Sequence, residues 1–277
     1  MKTVSVARMC KRVGMSRQNY YAKRRRRQRR SVDEDLMVKA VQRERQVQPR
    51  LGGRKLLWMA KDELAEHGVR IGRDRWFEVL RAHDLLVPRK PGRVTTTDSR
   101  HSLPVFGNLV ANVKPTGPHQ QWVSDMTYIR TEDGFLFSAV VMDRYSRKII
   151  GEHIGDSLEA EGCLAALDMA LGQLPAGEYP IHHSDRGCQY CCHEYVARLQ
   201  ERGLSISMTQ ILHCYENAAA ERVIGTLKQE YEMDRCFRTK EQAREAFHQA
   251  VYLYNHRRPH LSLNYATPAE AHARPAA

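Results

Sequence analysis

QWVSDMTYIRTEDGFLFSAVVMD (residues 121–143) is the stretch whose reading decides the fold. Residues 121–130 alternate between apolar and polar side chains, the period of a strand. TEDG (131–134) reads as a hairpin turn with Asp-Gly at its end. FLFSAVVMD (135–143) is nearly all apolar, so a second strand is expected at the centre of a sheet. One residue breaks the pattern. Asp125 sits in the middle of the first strand, where a charge is costly unless it is paired or bound to a metal.

Downstream, RKIIGEHI (147–154) reads as a third strand and 158–173 as an amphipathic helix. PIHHSD (180–185) is a short fourth strand ending at Asp185. Residues 193–203 form a helix, 204–208 a fifth strand, and YENAAAERVIGTLKQEYE (215–232) another helix. A last long helix is expected over 240–255. Three antiparallel strands followed by α/β alternation make the ribonuclease-H-like plan, an α/β fold with a five-stranded mixed sheet and flanking helices.

Upstream the character changes. The chain has 277 residues and a formal net charge of +12. Residues 1–100 hold 27 Lys+Arg against 11 Asp+Glu, whereas the remainder is slightly acidic. A basic front on a mildly acidic rear suggests a module for a polyanion, joined to something else. Residues 5–24 outline a helix-turn-helix, with apolar Val6, Ala7, Cys10 and Val13, a turn at Gly14 and a cap at Ser16. The basic run at 23–30 is open to two readings, a phosphate-tracking extension of that helix or a solvated linker. Residues 52–86 form a second helical hairpin broken at Gly68. Candidate DNA contacts are Arg17, Arg24, Arg25, Arg26, Arg27, Arg73 and Arg75. The expected organisation is 1–30, a basic helix-turn-helix-like segment; 31–90, an all-α DNA-binding region; 91–114, a linker rich in Pro, Gly, Thr and Ser; and 115–277, the catalytic domain. No stretch reaches the roughly 18 apolar residues of a membrane span. The N-terminus lacks a secretory apolar core, so a cytoplasmic protein is expected. The seven cysteines have no framework spacing, which suggests reduced thiols.

The chemistry is expected from three carboxylates. In the ribonuclease-H-like topology the first and fourth strands are neighbours, so Asp125 and Asp185 face each other. Ligands gather at such strand ends. Paired carboxylates repel unless cations join them, and oxygen-only donors suit Mg²⁺ or Mn²⁺. Thirty-five residues separate Asp185 from Glu221, enough for a helix, a strand, a loop and one turn of the next helix. Asn217, Glu221 and Lys228 share one face of that helix. Glu216 lies at its cap, with an ordinary dipole role, and Glu230 lies more than two turns on.

WVSDMTYI (122–129), HHSDRGCQY (182–190), ENAAAERVIGTLKQE (216–230) and YNHRRPHLSLNYATPAEA (254–271) together resemble the second-frame (OrfB) transposases of IS3-type bacterial insertion sequences. These belong to the DDE transposase and retroviral integrase superfamily. The resemblance covers nearly the whole chain. It implies that Asp125, Asp185 and Glu221 are the catalytic, metal-binding triad and hold two divalent ions. It implies that Lys228 faces donor DNA; Asn217, on the same helix face, is a further candidate DNA contact. The activity implied is nicking of the element's ends and joining of the freed 3′-hydroxyls to target DNA. The implied partners are terminal inverted repeats, target DNA, further copies of the chain on paired ends, and an upstream-frame OrfA product, fused or associated. The chain departs from the family at Glu216-Asn217-Ala218, where an aspartate usually stands first, and at the cysteines of 188–192.

Those cysteines, with His182, His183 and His193, invite a zinc reading, but a lone CxxC without a second pair is weak. His183 and Ser184 are expected to support the Asp185 strand end. Arg257, Arg258 and His260 are expected to brace the domain rather than touch DNA. Two rival functions stand beside the transposase: a nuclease of the same fold that cuts without joining, and a catalytically inactive DNA-binding regulator.

Overall fold

The computed structural model describes residues 5–88, 103–210 and 216–274. Residues 91–102 of the expected linker lie outside the described residues; 103–114 run without helix or strand. The chain divides into two compact units, Met1–Val47 with Leu51–Pro88, and Gln48–Arg50 with Arg89–Ala277. No helix among the described residues is long and apolar enough to cross a membrane.

The first unit is all helical. Helix α1 (Val6–Arg12) is capped by Ser5, whose side chain accepts from Arg8 N–H. Gly14 turns the chain at φ +64°, a left-handed conformation open to glycine. Ser16 Oγ then accepts from Asn19 N–H at 3.1 Å, and α2 (Arg17–Val47) begins. It runs for 31 residues, about 46 Å at 1.5 Å per residue. The basic run at 23–30 is therefore helix, and a boundary at residue 30 falls inside it. Only the second half of α2 carries an apolar stripe. Met37, Ala40, Val41 and Glu44 are its buried positions, spaced to face one side. Met37, Ala40 and Val41 pack with Leu56, Ala60 and Leu64 of α3 (Gly53–Glu66) and Trp76, Val79 and Leu80 of α4 (Arg73–Ala82). The Trp76 indole donates to the Gly53 carbonyl at 3.0 Å, so its one polar atom is satisfied inside the core.

The second unit is built on a mixed sheet. Strand β1 (Gln121–Thr131) pairs antiparallel with β2 (Gly134–Asp143), from Trp122↔Asp143 to Thr131↔Gly134. Strand β3 (Ile149–Gly155) lies antiparallel on the far side of β2. Strands β4 (Ile181–Ser184) and β5 (Ser205–Met208) add parallel on the other side of β1, giving the order β3-β2-β1-β4-β5. A two-residue strand, β6 (Cys236–Phe237), pairs with Arg130–Thr131. It was not expected from the sequence.

One face of the sheet, with Trp122, Ala139, Val141 and Ile150, packs against α5 (Ala160–Leu171) and α7 (His193–Glu201). Helix α6 (Cys188–Cys191) joins this core through Tyr190 and Cys191. The approach of α5 is close, since a Cβ on Gly151 would stand 2.0 Å from the Ala166 carbonyl oxygen. Helix α9 (Lys240–His256) packs against β1, β2 and β3. Its buried Asn255 donates to Ile149 O at 2.8 Å and accepts from Ile149 N–H at 2.9 Å. This amide pins the start of β3 as a strand neighbour would. Helix α10 (Pro268–His272) closes the unit behind a Thr267–Glu270 capping box. His272 Nδ1 reaches Ser146 Oγ at 2.9 Å, and Ser146 donates to the buried Asp143 at 2.7 Å.

Candidate active site

The strand order reverses direction between β1 and β4, which is where an α/β sheet opens a crevice at its strand ends. The two strands pair only through Gln121, Trp122 and Val123 with Ile181, His182 and His183. Asp125 and Asp185 follow at the same offset, two residues past the last pair. A period of two puts both on the face of Val123 and His183. Each carboxylate is oriented by a backbone N–H at Oδ1, from Met126 at 2.8 Å for Asp125 and from Gly187 at 2.9 Å for Asp185. Both are half-buried. Both also act on the same buried groups. The Tyr190 phenol is raised well above its ordinary range by burial, then by Cys163, Tyr195, Asp125 and Asp185. The Cys163 thiol is pushed up to about 12 by burial, with both aspartates adding to it.

Past Val123, β1 leaves β4, and it meets β6 only at Arg130. Helix α8 (Ala218–Glu230) packs on β1. Its anchor is Asn217, 4% exposed, whose Nδ2 donates to the Ser124 carbonyl at 3.0 Å. Glu221 N–H donates to Asn217 O at 3.1 Å, so the glutamate stands one turn above this anchor. Its side chain is exposed. Lys228, two turns on, holds its Nζ 4.6 Å from the centre of the Tyr128 ring on β1. The far end of α8 is gripped by Arg258, which donates to both oxygens of Glu230 at 2.8 and 3.0 Å. The helix with Glu221 and Lys228 is thus fastened at both ends.

The Asp125 and Asp185 strand ends are stiffened from behind. His182 Nε2 lies 2.7 Å from Ser124 Oγ and 2.9 Å from Tyr195 Oη. His183 Nδ1 lies 2.8 Å from Ser207 Oγ on β5. Burial is the main reason both imidazoles are neutral, with pKa values lowered to about 3 for His182 and about 4 for His183. Ser207 Oγ also accepts from Leu109 N–H at 2.9 Å, tying in the segment before β1.

The three carboxylates offer hard oxygen donors of the kind that suit Mg²⁺ or Mn²⁺. With the side chains as placed, no group of three or more His, Cys, Asp and Glu among the described residues is set to hold a metal ion. Each aspartate is held by a backbone N–H, and Glu221 stands exposed on the first turn of α8. The donor set fits a divalent cation in kind.

The other candidates are placed unequally. Asn217 points into β1 rather than outward, so its amide serves the fold. Arg75 is half-buried and ion-paired with Glu34 and Glu78, and Arg73 is paired with Asp74. Arg17, Arg24, Arg25, Arg26 and Arg27 are exposed along the first half of α2. Cys191 is buried against Met208, with 3.7 Å between sulfurs, while Cys188 is exposed. Sequence reasoning missed the Ser124–His182–Tyr195 bridge. Polar side chains on the covered face of two adjacent strands were its available signal.

The chain resembles known proteins over most of its length. Two family models, both described as integrase core domain, match residues 115–214 and 202–268. The chain is 35% identical over 267 residues to the insertion element IS600 31 kDa protein of Shigella sonnei, covering 94% of this chain and 96% of that one. It is 30% identical over 243 residues to the transposase for insertion sequence element IS629 of Shigella sonnei, covering 87% and 80%. In fold it matches a chain of the simian T-cell lymphotropic virus intasome, solved with PP2A regulatory subunit B56 gamma. That match has a TM-score of 0.50 at 16% identity and covers 78% of this chain and 71% of that one. With its basic helical front and its integrase core, the chain belongs to the IS3-family transposases, of the DDE polynucleotidyl transferase class.

Proposed function

We propose that this chain cleaves DNA at the ends of an insertion sequence and transfers the freed strand ends to target DNA, with Asp125, Asp185 and Glu221 as its catalytic residues. The observation that carries this reading is that Asp125 and Asp185 follow the β1–β4 pairing at the same offset, with the helix that bears Glu221 packed on β1. Those three carboxylates would hold Mg²⁺ or Mn²⁺, two ions in the full site. Bound there, such ions activate an attacking oxygen and stabilise the leaving one in an in-line displacement.

The protein's own share is alignment. The backbone N–H groups of Met126 and Gly187 keep the two aspartates oriented. Asn217 and Arg258 hold α8 at a set height above them. Lys228 supplies a point charge to a donor-strand phosphate on the side of α8 that Glu221 shares. The exposed basic half of α2 carries like charges at i,i+4, such as Lys23 with Arg27 and Arg26 with Arg30. These repel in the free helix, and a phosphate backbone relieves that repulsion through counterion release. Arg17, Arg24, Arg25, Arg26, Arg27 and Arg73 are the DNA contacts in this reading. Residues 1–30 and 31–90 are then the end-binding regions, 91–114 the linker and 115–277 the catalytic domain. The substrates are the terminal inverted repeats and target DNA. The working form is a multimer on paired ends, alone or with an OrfA product.

The test is incubation of the full chain with DNA carrying the element's ends, in Mg²⁺, Mn²⁺, Ca²⁺ or chelator. The expected result is 3′-end cleavage and joined product in Mg²⁺ or Mn²⁺ only. Cutting without joining would support the nuclease instead, and binding without cutting in any metal would support the inactive regulator.

A further inference from the structure

Beyond Asp125 the sheet carries an aromatic cluster that the cleavage chemistry does not use. Tyr128 and Phe135 meet edge to face across the β1–β2 hairpin, with ring centres 5.6 Å apart and an interplanar angle of 87°. Phe135 is 51% exposed. Two cations flank the pair. Lys228 Nζ lies over the Tyr128 ring, and exposed Arg130 is the cross-strand partner of Phe135, on the same face of the hairpin. A single exposed phenylalanine needs no explanation. A half-exposed ring, propped by a second ring between two cations and joined to the helix of Glu221, is a different object.

We propose that Phe135, supported by Tyr128, is a stacking platform for an unpaired nucleobase of the donor strand, with Arg130 and Lys228 on the adjoining phosphates. This rests on the transposase reading above. Tyr128 stands three positions beyond Asp125 on β1 and on the other face of the strand. What brings it to the site is Lys228, whose Nζ lies over its ring and which stands seven positions beyond Glu221 on α8, about 10 Å at the rise of a helix. DNA advances about 3.4 Å per nucleotide along one strand, so the platform lies within a few nucleotides of the scissile position. A paired base inside a duplex shows only its edges and has no free face for Phe135. A base freed by fraying has one, and stacking on an aromatic ring offsets part of the cost of unpairing it. The platform therefore favours DNA that is already open near the cleavage point, without reading a sequence.

The experiment uses the full chain without divalent metal, so that nothing is cut. The probe is a short duplex ending in a single-stranded tail, with a fluorescent adenine analogue, quenched by stacking, at successive tail positions. The comparison is the same duplex with a blunt end. Wild type is expected to quench the analogue at one tail position. Phe135→Ala is expected to abolish that quench and to weaken binding of the tailed DNA about 5- to 150-fold, with blunt DNA bound as before. Phe135→Trp keeps a ring and is expected to restore both, which separates stacking from misfolding. The inference is overturned if Phe135→Ala leaves the quench in place, or weakens tailed and blunt DNA equally. Metal-dependent cleavage measured in parallel separates the two proposals: normal cleavage with no platform effect refutes the platform alone, and no cleavage in any metal refutes the transposase reading beneath it.

Discussion

Replacing Arg258 with alanine tests how α8 is held. Arg258 and Glu230 have side-chain exposures of 7% and 19% and meet through Nε–Oε2 at 2.8 Å, with a second contact from Nη2. Burial alone would lower the arginine's pKa, yet Glu230 more than offsets this and the pKa is raised. Removing one partner of a buried pair destabilises by about 3–5 kcal/mol, because the other charge stays desolvated. Glu230 keeps some exposure, so the lower end applies, about 3 kcal/mol. For a unit of this size that lowers Tm by about 6–12 °C. Differential scanning calorimetry is the suitable assay, since two units need not melt in one transition. The double variant Arg258→Met with Glu230→Leu removes both charges and is expected to return within about 1 kcal/mol of wild type. A loss below about 1 kcal/mol in Arg258→Ala, or a double variant as unstable as the single, would refute the argument.

Three further outcomes follow from the same packing. Asn217→Ala removes the Ser124 anchor and is expected to cost only about 1 kcal/mol of stability. It should slow strand cleavage about 10- to 100-fold by loosening the turn below Glu221, and cleavage rate set against melting temperature checks this split. Asp143 is fully buried; burial opposes its ionisation, but the nearby His272 ring and hydrogen bonds from Ser146 and the His119 N–H win and its pKa is lowered from 3.8. Its folded pKa lies below the unfolded one, so its contribution is present above about pH 4 and is lost as pH falls through the folded value. Melting followed from about pH 5 to pH 2 should fall steeply in wild type and less steeply in Asp143→Asn. Gly151→Ala drives a methyl into the Ala166 carbonyl and is expected to destabilise by about 3 kcal/mol; an unchanged urea midpoint would show that α5 yields more easily than its packing suggests.

The sheet was legible because its strands differ in pattern. The Asp-Gly turn marks the hairpin, and the apolar run of β2 marks the centre of the sheet. The helices carrying Glu221 and Asn255 showed through their apolar spacing. What escaped is what periodicity does not encode. β6 is two residues of backbone pairing, too short for a period. The 31 residues of α2 look like two segments, because the apolar stripe exists only in the second half. Asn217 looked like an outward amide because its helical face does not say that β4 has left β1 and exposed the Ser124 carbonyl. Arg75 looked like a DNA contact because Glu34, which pairs with it, is 41 residues away in sequence. Asp125 stood out from its own strand, since a charge among apolar neighbours is visible in one dimension.

The most direct measurement is the single-turnover cleavage rate of Asp125→Asn, Asp185→Asn, Glu221→Gln and the triple variant, on one end-bearing DNA in Mn²⁺. If the three carboxylates act as a unit, each single change removes about as much rate as all three together. DNA binding without metal should stay at wild-type strength in all four. A Glu221→Gln protein that cleaves at the wild-type rate, or losses that multiply from one variant to the next, would contradict a shared site of Asp125, Asp185 and Glu221.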